Sequence, residues 1–223
     1  MSSDRAGDPA PFTVWPVPGV NELDEPLIQQ LYGRWLPMSP VEVAALFDGA
    51  PFPWWIAGGL AIEAAAGAPR RHWDTDVVVL KRDLEAMRDW LAEFHLWEVE
   101  GGTLRPLLRR DRMSSDRDQL WMRRDASSPW LLDLLLSPAE GHEWLYKRDH
   151  SVHRPLDDIG HRIGGVPYLR PSIVLLFKAK AHRPQDEADL SSVLPRLSQD
   201  ERGWLAGALH KEQPDHPWLA VLD

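Results

Sequence analysis

Apolar residues recur at helical spacing twice before residue 50. Leu23, Leu27, Leu31 and Trp35 fall on one stripe, and Ser39-Pro40-Val41-Glu42 opens a second helix with a capping box and a proline at the first helical position. The pattern then shortens. The run Trp54 to Ala57 predicts a buried strand, and Gly58-Gly59 turns it into the alanine-rich segment 60–66, which favours helix. Asp74 to Leu80, with Val77, Val78 and Val79 in succession, predicts a central strand; Leu84, Met87, Leu91 and Phe94 then mark one face of a helix over 82–94. Four strands are expected next, at 96–99, 103–108, 119–122 and 130–136, with no helical stripe between them. Gly164-Gly165 reads as a hairpin turn. From Pro171 onward three helical runs follow, the first carrying Ile173, Leu176, Phe177 and Lys180, the others covering 186–197 and 198–210. The expectation is an α/β fold in which a short mixed sheet is flanked by helices and followed by a C-terminal helical subdomain. Its parts are an extended arm over 1–20, an α/β domain over 21–168 and the helical part over 169–223.

Composition narrows the chemistry. With 223 residues, 43% hydrophobic and 26% charged, the chain suits one domain with a helical appendage, and 12 Trp are far more than a disordered chain carries. Lys plus Arg number 25 against 34 Asp plus Glu, a net charge of −9 that disfavours non-specific nucleic-acid binding. There is no long apolar run and no secretory pattern in MSSDRAGDPA, so no membrane association is expected and a cytoplasmic location is. The absence of Cys excludes disulfides, thiolate zinc sites and Cys nucleophiles, leaving carboxylates and His as ligands for a hard ion such as magnesium.

The most informative local feature is Asp74-Thr75-Asp76, since alternate strand residues face one side, roughly 7 Å apart. Paired acids of this kind suit two divalent ions and in-line displacement at phosphorus. A third acid is expected from a neighbouring strand, and Asp133 fits, because a carboxylate within Trp130 to Leu136 requires a metal or a cation. The plainer readings are a turn or capping pair for the first two and a salt bridge for the third. Gly58-Gly59, opening a helix after a strand, can hold a phosphate on its amides. Arg71, just before the acidic strand, suits a phosphate oxygen. Of Lys178 and Lys180, two apart on a helix, one at most is expected in the cleft, and Lys178 is favoured over its reading as a solvated helix lysine. Asp186 reads as a helix cap. The seven arginines between 105 and 124 read either as a lid over the triphosphate or as a solvated, self-paired loop.

These motifs resemble the nucleotidyltransferase superfamily: Gly58-Gly59, Asp74-Thr75-Asp76 and Asp133. The segments Ala57 to Ile62, Arg71 to Val77 and Leu176 to Asp189 bring the chain closest to the aminoglycoside 2''-adenylyltransferase-like family, over roughly 54–220. The resemblance implies a nucleotidyltransferase-type α/β fold and transfer of a nucleoside monophosphate from a nucleoside triphosphate, ATP expected, to a hydroxyl of a small, aminoglycoside-like acceptor, with pyrophosphate leaving. It implies Mg2+, two ions, on Asp74 and Asp76, with Asp133 completing the metal site or acting as base, and Glu98 and Glu140 as fallbacks for that third acid. Gly58, Gly59, Arg71 and Lys178 are the expected nucleotide-binding residues. The alternatives are a toxin-like enzyme acting on tRNA or protein, and a non-catalytic nucleotide-binding protein of the same fold.

Overall fold

The computed structural model describes residues 25–222. The arm expected over 1–20, and Leu23 of the first stripe, lie outside the described residues. Two helices come first, α1 (Glu25–Tyr32) and α2 (Pro40–Leu46). The second carries the expected capping box: Glu42 N–H donates to Ser39 Oγ, and Ser39 N–H donates to the Glu42 carboxylate at 2.8 Å. Between the two helices the chain runs beside the strand that begins at Trp130. Trp130 N–H donates to Arg34 O, and Leu36 and Met38 donate in turn to Trp130 O and Leu131 O.

The first strand-turn-helix unit is β1 (Trp54–Ile56) and α3 (Gly58–Ala66); the second is β2 (Asp76–Leu80) and α4 (Leu84–Trp90), joined by a 3-10 turn over Lys81–Asp83. Two sequence-based boundaries move. The strand expected from Asp74 begins at Asp76, with Asp74 and Thr75 as an approach to it, and the helix expected to reach Phe94 ends at Trp90. The all-β stretch then delivers β3 (His95–Glu100), β4 (Thr103–Leu107), β5 (Gln119–Arg123) and β6 (Trp130–Ser137), all four strands at the expected places. After β6 come three strands with no sequence expectation, β7 (Ala139–Glu140), β8 (Glu143–Tyr146) and β9 (Asp149–Pro155), which form a separate small sheet. The hairpin β10 (Gly160–Ile163) and β11 (Val166–Leu169) turns at Gly164-Gly165, both at positive φ as a tight hairpin turn requires.

The main sheet is mixed, eight strands in the order β10-β11-β1-β2-β6-β5-β3-β4. β2 runs parallel to β6 and antiparallel to β1, and β5 is antiparallel to β6. At the middle of the sheet the lateral sequence is therefore β1, β2, β6, β5, and β2 and β6 are buried along almost their whole lengths. The tail consists of α5 (Pro171–Ala179), α6 (Pro184–Val193), α7 (Gln199–Glu212) and the short α8 (Leu219–Leu222). α6 stops at Val193 because Pro195 has no N–H to continue the ladder. Ile173 to Leu176 of α5 are buried in one apolar cluster that joins β1, β2 and β6 to Leu205 and Leu209 of α7. Most Trp are consumed by packing: Trp121 and Trp130, with Tyr32, Trp35 and Trp97 against them, make a second cluster.

Candidate active site

Three carboxylates meet where β2 and β6 lie side by side. Asp76 and Asp133 are register partners across that parallel pair, and the extended approach to β2 continues the pairing, since Asp133 N–H donates to Thr75 O at 2.9 Å. Thr75 is turned into the protein, its hydroxyl donating to Met38 O at 2.7 Å, so alternation sends Asp74 and Asp76 to the other side. Asp74, Asp76 and Asp133 each present an oxygen, and these oxygens all lie within 4.8 Å of one another. Glu98 is not near them: it is buried against Arg105 and the Ser114 N–H, while Glu140 is exposed on the small sheet.

Gly58 makes the cluster sterically feasible. Its φ is +56°, and a Cβ there would fall on the Asp76 carboxylate. A side chain at Gly59 would instead run into Arg70 and His72. That loop is fixed to α3 by Glu63, which accepts from Arg70 N–H at 3.0 Å and contacts the His72 ring at 2.7 Å.

Like charges in a recessed site should resist ionisation. Burial, joined by the charges of Asp74 and Asp133, holds Asp76 well above the usual carboxylate range. Burial and the Asp74 charge push Asp133 up to about 7, opposed by a hydrogen bond from Gln119, whose amide donates to Asp133 Oδ2 at 2.6 Å. Asp74 is raised as well, by burial first, with its own backbone hydrogen bond and the Lys178, His72 and Arg70 charges opposing. The other oxygen of Asp133, Oδ1, is buried and accepts no hydrogen bond of ordinary geometry, although the side chain of Trp121, its register partner on β5, also draws the Asp133 carboxyl down. A carboxylate oxygen of this kind beside two further carboxylates fits a hard divalent cation, so the donor set agrees with the magnesium expectation.

The cluster forms the floor of a cavity of about 640 Å³, bounded by Gly58 and Ala57 on one side, by Asp118 and Gln119 on the other, and by α5 and the β8–β9 turn above. Of the residues singled out from sequence, Gly58, Asp74, Asp76, Asp133 and Lys178 line this cavity. Arg71 does not. It is exposed and its guanidinium stacks 3.7 Å above the Trp73 ring. Lys178 lies on the wall but is engaged, 3.1 Å from Asp186 and 2.9 Å from Asp189, both buried. Lys180 lines the cavity too, so both lysines reach it where one at most was expected. Asp186 is the expected cap, accepting from Arg183 N–H at 3.0 Å. Of the arginines in 105–124, Arg105 and Arg117 pair with Glu98 and Glu100, and Arg123 stacks on Trp97 and Trp130; none lines the cavity, whereas Asp118 and Gln119 do.

The comparisons with known proteins bear on this arrangement. The family model described as aminoglycoside-2''-adenylyltransferase matches residues 41–120, the part that holds Gly58, Asp74 and Asp76. The crystal structure of ANT(2'')-Ia in complex with adenylyl-2''-tobramycin is similar at 12% identity and TM-score 0.51, covering 77% of this chain and 95% of that one. A solution structure of ANT(2'')-Ia, 13% identical, covers 78% and 91% with the same TM-score of 0.51. At such identities the likeness is one of fold. A lincomycin-bound lincosamide antibiotic adenylyltransferase, LnuA, overlaps more loosely, with TM-score 0.49 and 13% identity over 70% of this chain and 95% of that one. Comparison with the curated proteins finds no match. The sequence missed Gln119, Trp144, Lys147, Arg148 and Arg183 as cavity residues. Only Arg183 lay inside a segment carrying the resemblance; Lys147-Arg148 is a charged turn dipeptide, which has no distinctive spacing.

Proposed function

We propose that the chain transfers a nucleoside monophosphate, AMP from ATP, to a hydroxyl of a small molecule. The observation that carries this reading is the convergence of Asp74, Asp76 and Asp133, whose oxygens lie within 4.8 Å of one another. Asp74, Asp76 and Asp133 would hold Mg2+, which when bound supplies charge neutralisation at the triphosphate and the attacking oxygen. The triphosphate is assigned to the Gly58 side, where the start of α3 offers backbone amides and Arg183 and Lys178 offer positive charge. The acceptor then belongs at the Asp133 side. Its hydroxyl oxygen bonds to the α-phosphorus as the bond to the bridging oxygen breaks; pyrophosphate leaves, and the hydroxyl proton passes to Asp133 or to solvent. That the ANT(2'')-Ia structure holds adenylyl-2''-tobramycin supports a hydroxyl acceptor of small size.

The test is transfer of labelled monophosphate from each of the four common nucleoside triphosphates, read by product mass, with and without Mg2+. Asp76→Asn and Asp133→Asn should each lower the rate by about a hundred- to a thousandfold, the range expected when charge stabilisation at the reacting centre is removed. Both variants should melt no lower than the parent without metal, since each relieves repulsion within the cluster. A variant with full activity would remove the assignment.

A further inference from the structure

Five cations line the cavity: Lys147, Arg148, Lys178, Lys180 and Arg183. Four of them are matched by a neighbour. Lys147 lies 2.9 Å from Asp118, and Arg148 donates to the Tyr146 hydroxyl at 2.6 Å and lies 3.9 Å from Glu212. Lys178 bridges the buried Asp186 and Asp189, and Arg183 holds Asp186 through Nε and a terminal nitrogen at 3.0 and 3.2 Å. Lys180 differs. Its side chain is exposed, and among the described residues it enters no ion pair and no side-chain hydrogen bond. To take an anion, each of the other four must loosen a contact it already makes, whereas Lys180 exchanges only water.

The backbone explains how Lys180 reaches the cavity beside Lys178. Two positions apart on a continuing helix the two would diverge. α5 ends at Ala179, however, and the Ala181 and His182 N–H groups both donate to Lys178 O at 3.1 Å as the chain leaves the helix. His182 takes φ +48°, with its ring packed against those of His216 and Trp218 at centroid distances of 5.0 and 5.8 Å. The turn is thereby pinned, with Lys180, Ala181 and Arg183 on the cavity wall. A chain of contacts ties it to the Gly58-Gly59 side: a Cβ on Gly59 would meet Arg70, Arg70 pairs with Asp189 at 3.2 Å, and Asp189 holds Lys178 at 2.9 Å. That is the side to which the triphosphate is assigned.

We infer that Lys180 is the lysine that contacts the triphosphate, its ammonium on oxygens of the two phosphates that leave as pyrophosphate. This rests on the transfer reading above. The α-phosphate must lie at the three acids, so an exposed side chain on the same cavity meets the outer phosphates. Lys178, the lysine favoured from sequence, acts instead as a strut between α5 and α6 and adds its share of the positive field on Asp74 and Asp76. An ammonium with no carboxylate of its own offsets the phosphate charge directly, as a point charge on a flexible stem.

The experiment measures binding, with no acceptor present. The full chain in excess Mg2+ is titrated calorimetrically with ATP and with inorganic tripolyphosphate, as the parent, as Lys180→Met and as Lys180→Arg. Lys180→Met should weaken both ligands by the same factor, about tenfold or more, the loss expected for one hydrogen bond to a charged group. Lys180→Arg should recover most of that loss, and both variants should keep the parent's thermal midpoint, since no contact within the protein is removed. Unchanged ATP affinity in Lys180→Met overturns the inference, leaves the transfer reading standing and returns Lys180 to a solvated lysine at a helix end. A loss for ATP without one for tripolyphosphate also overturns it, by assigning the ammonium to the base or ribose. A fall in midpoint, with equal loss of affinity in the arginine variant, does so by marking a structural role. A parent that binds neither ligand sinks the transfer reading as well.

Discussion

Gly58 shows how a single residue can be decided by what sits next to it. Its positive φ already disfavours a side chain, and the space a Cβ would need belongs to the Asp76 carboxylate. Gly58→Ala should therefore lose stability by about 1–2 kcal/mol from the backbone alone, and displace Asp76 as well. The expected result is a modest drop in denaturation midpoint and a far larger drop in transfer rate. Equal losses in the two would mean that Asp76 had not moved. From the sequence, Gly-Gly was legible as a turn with room for a phosphate, but its closest neighbour was not, because that neighbour arrives from another strand. Arg71 illustrates the opposite case. Three residues before Asp74, it turns outward onto Trp73, since an irregular approach to a strand carries no rule for side-chain direction.

At the scale of elements, the acids are set by strands and the cations by helices and turns. The strands were readable because β2 and β6 are continuous apolar runs, and Asp133 stood out as the one charge inside Trp130 to Leu136. The β7–β9 sheet was not, since its strands alternate charged and apolar residues over short lengths and resemble turns. α5 and α6 are tied by Lys178, which bridges the buried Asp186 and Asp189, while Arg70 reaches Asp189 from the loop ahead of the acids at 3.2 Å. Lys178→Met would leave two buried carboxylates with Arg183 and Arg70 as their remaining cations. A cost of about 2–3 kcal/mol is expected, below that of a fully orphaned buried pair, measurable by urea denaturation. A loss under 0.5 kcal/mol, with transfer reduced, would instead mark Lys178 as a nucleotide contact with little structural role.

For the whole molecule, the cluster makes folding and ion binding interdependent. Asp133 titrates near 7 when folded and near 3.8 as an isolated side chain, and Asp76 is raised in the same direction. A carboxyl raised on folding is ionised first in the unfolded chain, so proton release favours unfolding as pH climbs from about 4 to about 7. The metal-free protein should accordingly be less stable at pH 8 than at pH 5, judged against Asp133→Asn, in which the decline is smaller. Saturating Mg2+ with nucleotide, at 100 times its dissociation constant, should add about 2.7 kcal/mol at pH 8. Insensitivity of the pH 8 midpoint to Mg2+ would count against an ion on these three acids.

The Asp76–Asp133 register pairing has a further consequence. The two residues are far apart in sequence, and every strand from β3 to β5 is made between them, so the carboxylates become neighbours only once β6 has docked along β2. Docking one residue out of step would send one acid to the far face of the sheet. Turnover in this protein is thus a proofreader of its own assembly: a molecule that works has, by that fact, threaded its middle strand in the right alignment.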